Sequence, residues 1–278
     1  MVTNRRILTI FCCAVLLTAN SSSELYAACE FAPQGDGRVS SVLDAKTFRL
    51  EDGREIRLAG IEFAADGADR GKRLLASLID GRNVALHGSD DTPDRYGRQP
   101  AFVSLKGSGA PIQFEMLAAG EALASAAISD LGCSRALLTA EAVARAARRG
   151  VWAGSAALKN AESPDDILAR LGHFTVVEGT VSSARLAGAT FYVNFGRRWT
   201  QDFAVTISRR MMPSIEAAGI DLKSLKGKKI RVRGWIERRG GPRIEAAYVG
   251  QIELIGTAKP SQKDDLAVKE VLPVDEGK

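Results

Sequence analysis

The feature that most constrains this chain is a glycine turn set between two alternating runs. Residues 38–44 (RVSSVLD), 47–50 (TFRL) and 55–61 (EIRLAGI) alternate apolar and polar positions, and Glu51-Asp52-Gly53 separates the last two. Asp-Gly between alternating runs favours a tight hairpin, because glycine adopts positive φ without strain. The start of the chain is thus expected to be antiparallel sheet. Residues 67–80 then read as a helix ending at Gly81, and RNVALHG and RQPAFVSL as two further strands around the turn Pro93–Gly97. Residues 113–126 and 134–150 read as helices. In the second of these Ser134 is the expected N-cap, Glu141 and Arg145 form an i, i+4 pair, and Arg148-Arg149-Gly150 closes it.

A small, polar stretch around 155–170 is expected to be a linker. Beyond it, 173–186, 189–196, 202–208, 229–238 and 243–255 read as strands, with a short helical piece at 209–218 between the third and fourth. That is the element order of an OB-type barrel. The expected fold class is therefore mainly β with helices (α+β), with one unit over 36–154 and an OB-like β-barrel over 171–256. Residues 257–278 are charged and proline-containing, and read as a disordered tail.

Residues 1–27 read as an export signal: Arg5-Arg6, the short apolar run Ile7–Ala19, a polar stretch and Ala27 before the expected cut. The run is shorter than the ~20 residues of a spanning helix. An exported chain, periplasmic or secreted, is expected. Removing 1–27 also removes Cys12 and Cys13, leaving Cys29 and Cys133 as either a disulfide or two buried thiols. The formal charge of +5 mildly favours an anionic partner, and with only His87 and His173 a histidine-rich metal site is excluded.

Three stretches carry a family resemblance. Val42-Leu43-Asp44-Ala45-Lys46-Thr47 stands where a Val-x-Asp-Gly-Asp-Thr motif would stand. Ile56-Arg57-Leu58-Ala59-Gly60-Ile61-Glu62 stands for Arg-Leu-x-Gly-Ile-Asp-Thr-Pro-Glu. Asp94-Arg95-Tyr96-Gly97-Arg98 matches Asp-x-Tyr-Gly-Arg, and Arg149–Trp152 fits the ending. Residues 38–154 thus resemble the thermonuclease (staphylococcal-nuclease-like) family, which implies a five-stranded OB-type barrel and calcium-assisted phosphodiester hydrolysis. Such chemistry needs carboxylates for the ion, a carboxylate to activate water, and arginine forks for charge on phosphorus. The resemblance assigns the forks to Arg57 and Arg98. The acids have largely gone: Lys46 replaces the second acid of the first motif, Glu62 replaces aspartate, and Ala65 stands at the general-base position. Asp44 remains, and Asp66 lies one residue past the expected base.

Two readings of these residues stay open. Arg57 and Arg98 hold phosphate at a degenerate site where Glu62 is vestigial, or they are an outward strand residue and a hairpin support. Asp44 is a turn residue, or with Glu62 and Asp66 it holds calcium in an active nuclease; no other cofactor is implied. In the second unit, eight Lys/Arg and one Glu occupy 226–243. Lys229, Arg231 and Arg233 alternate with Ile230 and Val232, giving one cationic and one apolar face. With Lys46, Arg197, Arg198, Trp199, Arg238 and Arg239 they are candidate nucleic-acid contacts, and Trp199, Trp235 and Tyr192 are candidate stacking platforms. The leading expectation is an exported protein that binds nucleic acid or another polyanion. The alternatives are an active calcium-dependent nuclease and an envelope interaction protein.

Overall fold

The computed structural model describes residues 29–154 and 157–256. The expected signal and tail lie outside them. Five strands, β1 (Pro33–Val42), β2 (Thr47–Leu50), β3 (Glu55–Leu58), β5 (Asn83–His87) and β6 (Arg98–Leu105), close into a barrel in the order β1-β2-β3-β6-β5. Its β3–β6 pair is parallel and the others are antiparallel. Alternation decides what faces in. Phe48 and Leu50 of β2 and Ile56 and Leu58 of β3 are buried, which turns Arg57 outward. Helix α1 (Ala68–Ile79) lies between β4 (Ile61–Glu62) and β5, and buries Gly71, Leu75 and Ile79 at helical spacing.

The helix expected over 113–126 is half that length. Helix α2 runs Ile112–Ala118, and Leu123–Ala124 form strand β7, paired with β4. The cause is backbone contact. Gly120 (φ +77°) and Gly150 (φ +54°) lie so close that a Cβ on Gly120 would sit 2.4 Å from the Arg149 carbonyl oxygen, and Val151 N–H donates to the Gly120 carbonyl at 2.9 Å. Helix α3 (Leu131–Ala146) starts earlier than expected. Its N-cap is Asp130, whose carboxylate accepts from Cys133 N–H at 2.7 Å, not Ser134, which is buried inside the helix. A disulfide joins Cys29 to Cys133.

The expected linker is structured among its described residues. Strand β8 (Leu158–Asn160) pairs parallel to β9 (Phe174–Thr180), and α4 (Pro164–Leu168) follows β8. The remaining elements are β10 (Ser183–Ala187), β11 (Thr190–Asn194), β12 (Ala204–Ser208), α5 (Met212–Ala217), β13 (Lys229–Trp235), β14 (Glu237–Arg239), β15 (Gly241–Ala246) and β16 (Ile252–Leu254). The expected second barrel is represented by two ladders, a five-stranded sheet β10-β11-β12-β15-β14 and a four-stranded sheet β16-β13-β9-β8. The whole is a mixed α+β structure, mostly sheet, with five helices among the described residues.

The two strand-rich units are not separate beads. Ala64, Leu123, Ala144, Val151 and Trp152 of the first form one apolar cluster with Ala157, Phe174 and Val176 of the second. Beside it lies an ion cluster whose central pair, Arg233 and Glu141, is fully buried. Arg233 of β13 donates to Glu141 Oε2 at 2.8 Å, to Glu141 Oε1 at 3.1 Å, to the Ala124 carbonyl at 2.9 Å, and to Glu253. Ala124 N–H donates to the same Glu141 at 2.8 Å, and Arg145 holds Glu141 Oε1 at 2.8 Å. Glu141 is thus not the surface helix pair its spacing suggests. Burial works against the charge on Arg233, but Glu141 and Glu253 outweigh it and hold the guanidinium more firmly protonated than usual. Burial likewise pushes Glu253 up, and Arg233 and Arg231 overcome it, leaving its carboxyl below the ordinary range. Removing one partner of such a cluster strands a buried charge, at a cost of about 3–5 kcal/mol. Arg233→Met is therefore expected to lower unfolding free energy by about that much. Adding Glu141→Gln should recover part of the loss. Urea unfolding of the two variants and the parent checks both.

Candidate functional site

The β1–β2 turn, the outer side of β3 and the turn before β6 meet at one end of the first barrel. Asp44 shapes the first turn: its Oδ1 accepts from the backbone N–H groups of Lys46 and Thr47, both at 2.7 Å. This holds Lys46 over the edge of β3, where the Lys46 carbonyl accepts from Leu58 N–H at 2.8 Å. The Lys46 ammonium is paired with Glu62 of β4, and both side chains are mostly buried. Asp94 shapes the other turn. Its Oδ1 accepts from Tyr96 N–H and Arg98 N–H, and its Oδ2 accepts from the Arg98 guanidinium at 2.7 and 3.0 Å.

Arg57 and Arg98 converge. Arg57 lies 3.8 Å from the same Asp94 Oδ2 that Arg98 holds, and 3.6 Å from Glu62 Oε1. Three cations and two carboxylates thus form one partly exposed cluster. Tyr96, 64% exposed, stands beside it with the guanidinium carbons of Arg95 and Arg98 4.7 and 5.0 Å from its ring centre. The hydrogen bond from Arg98 holds the Asp94 carboxyl well below its usual range, at about 2. The reciprocal contact raises Arg98. Burial, with Arg57 and Arg98 nearby, lowers Lys46 to about 8, and Glu62 limits the drop.

The residues present do not fit calcium. A hard dication needs six or more oxygens, and here an ammonium occupies the face of Glu62. Asp44 commits its Oδ1 to its own turn. Asp66 lies in an ion pair with Arg170, 3.1 Å away beyond α4. No group of three or more His, Cys, Asp or Glu side chains suited to a metal occurs among the described residues. Ala65, where the resemblance places a general base, is exposed and carries no acid.

The second-unit candidates divide. Arg233 is buried in the ion cluster, and Arg231 is held by Glu178 and by Glu253 at 3.3 Å, so neither presents its charge to a ligand. The cationic parity of β13 was legible, but that face packs inward against carboxylates. Lys229 is exposed and lies 3.4 Å from Glu178, on the same strand as Arg231 and Arg233 and in a different sheet from Arg238 and Arg239. Trp235 is half exposed and meets Phe174 edge-on, with ring centres 6.0 Å apart. Arg197, Arg198 and Trp199 lie on the β11–β12 loop, and Arg238 and Arg239 on the β14–β15 hairpin, and these two loops touch: a Cβ on Gly240 would lie 3.2 Å from Thr200 Cα. Sequence reading missed the site role of Asp94, although its i, i+4 spacing to Arg98 was visible. It also missed Glu141 and Glu253 as owners of Arg233, for which no local signal exists.

Residues 56–154 match the family model described as staphylococcal nuclease homologue. No curated protein matches the chain. A domain of this kind fits a nuclease-like or nucleic-acid-binding role.

The lowered Lys46 value has a signed consequence. Folding favours its neutral form, so between pH about 8 and its ordinary 10.5 the unfolded chain binds the extra proton. This group's contribution to stability therefore rises with pH across that window and is flat below it. Lys46→Met should remove the rise. NMR titration of the Lys46 Cε, with a midpoint near 8, checks the parent.

Proposed function

We propose that this is an exported protein that binds nucleic acid or another phosphate-rich polyanion through a nuclease-like site that no longer hydrolyses. The observation that carries this reading is the Lys46–Glu62 pair beside Arg57, which shares Asp94 with Arg98. A fixed ammonium supplies positive charge where the resemblance calls for a dication. It can neutralise phosphate oxygens. It cannot lower the pKa of a bound water, which is the metal's contribution to making a nucleophile. The arginine forks match phosphate geometry, and Asp94 Oδ2, shared by both, marks the point on which their donors focus. An incoming phosphate competes there with an internal carboxylate, which favours weak, salt-sensitive binding over tight capture.

Export is supported by the signal-like residues 1–27 and by the Cys29–Cys133 bond, which suits an oxidising compartment. The second unit we read as an OB-like barrel. In support, β9 runs into β10 through Val181-Ser182, and β13 into β14 through Ile236, so bent strands link the two ladders. The parallel β12–β15 pair also repeats the parallel β3–β6 pair of the first unit.

The test is a binding titration of labelled single- and double-stranded DNA at several salt concentrations, beside a hydrolysis assay in calcium. Salt-dependent binding is expected, with no cleavage. Arg57→Ala with Arg98→Ala should weaken binding and flatten its log–log salt slope by about 1.4 for single strands. Lys46→Asp with Ala65→Glu should gain chelator-sensitive cleavage. Absence of any salt-dependent binding, or calcium-dependent cleavage by the parent, would overturn the reading.

A further inference from the structure

The five-stranded sheet of the second unit has two faces of opposite character. Phe191, Val193, Val205, Ile207 and Ile244 point into the core. The alternate positions face outward, and register aligns them: Arg185 opposite Tyr192, Asn194 opposite Ala204, and Ala204 opposite Arg243. On this outer face lies a cleft of about 430 Å3, lined by Arg185, Tyr192, Asn194, Trp199, Arg239 and Arg243 among others.

The walls are built. The β11–β12 loop folds on itself, with Asp202 Oδ2 accepting from Arg198 N–H at 2.7 Å and packed so close to Gly196 that a Cβ there would sit 2.1 Å away. The β14–β15 hairpin locks against this loop backbone to backbone. A Cβ on Gly241 would lie 2.5 Å from the Asp202 carbonyl oxygen. Trp199, next to Thr200 on this loop, lines the cleft and is 75% exposed, the most exposed of the large apolar residues described.

The charges in the cleft are under-used. Arg185 and Arg239 are exposed, and among the described residues neither has an ion-pair partner. Arg243 reaches Glu237 at 2.9 Å, yet its Nε–H is buried with no acceptor among the described residues. Two aromatic rings beside three guanidiniums, with Asn194 as a further polar group, form a site for ligands that carry both flat rings and negative charge. The volume suits one or two nucleotides, well short of a folded macromolecular surface.

We infer that this cleft is a second ligand site, distinct from the Arg57–Arg98 cluster, that takes single-stranded nucleic acid with bases stacked on Trp199 and Tyr192 and phosphates on Arg185 and Arg239. Stacking is tolerant of sequence, and exposed tryptophan beside unpaired arginine is what it requires. A duplex hides its base faces and cannot use Trp199 in this way. The site goes beyond the proposed function and does not depend on phosphate binding at the first barrel.

The experiment uses the chain from Cys29 onward carrying Arg57→Ala and Arg98→Ala, so that failure of one site is not mistaken for failure of the other. A labelled ten-residue oligothymidylate is titrated in, with anisotropy and tryptophan emission as readouts. Binding with quenched emission is expected. Trp199→Ala should weaken it about tenfold or more. Arg185→Ala with Arg239→Ala should lower the log–log salt slope by about 1.4. Inorganic polyphosphate, which has charge but no bases, should be indifferent to Trp199→Ala. No oligothymidylate binding, equal affinity with and without Trp199, or equal sensitivity of polyphosphate to that change would overturn the inference.

Discussion

The arrangement of the molecule depends on one buried guanidinium. Arg233 comes from a strand of the second unit, and most of its acceptors (both oxygens of Glu141 and the Ala124 carbonyl) belong to the first. A cation fully removed from water is tolerable only where its partners are fixed, and here they are. Glu141 is clamped by Arg145 and by a backbone N–H, and Glu253 by Arg231. The cluster therefore specifies a relative orientation, whereas the apolar cluster beside it supplies non-directional attraction. Gly250 shows how close the approach is. A Cβ there would lie 2.0 Å from Ser134 Oγ on α3.

That orientation also explains why the nuclease-like site reads as it does. Asp66, the acid next to Ala65, is paired with Arg170 just after α4. The loop after β4 is thus engaged by a residue that lies beyond the first barrel. Lys46 meets Glu62 directly, and an ammonium needs a single counter-charge there, whereas a calcium ion would need several oxygens.

Much of this was legible in the sequence, for local reasons. The Asp52-Gly53 turn, the alternation that buries Ile56 and exposes Arg57, and the Asp94–Arg98 turn are all encoded within a few residues, and the structure follows them. The convergence of Arg57 and Arg98 came through the resemblance, and the Cys29–Cys133 bond was one of two readings left open by the cysteine count. What failed was non-local. Leu123–Ala124 reads as helix until Gly120 is seen stacked on Gly150, thirty residues on. Ser134 reads as a cap, whereas Asp130, four residues earlier, caps the helix and leaves Ser134 inside it. Arg231 and Arg233 read as a solvated cationic face, because alternation reports which residues share a side and not whether that side meets water or carboxylates from elsewhere. The segment 155–170 reads as a linker by composition, since a short parallel strand such as β8 takes its support from β9, outside its own residues.

The shared apolar cluster, finally, separates covalent continuity from structural continuity. Ala157 belongs to the same cluster as Val151 and Trp152, although residues 155 and 156 intervene. A chain nicked between Gly154 and Ala157 would still have its halves clasped by the Arg233 cluster and the apolar seam, and would run as one particle until denatured.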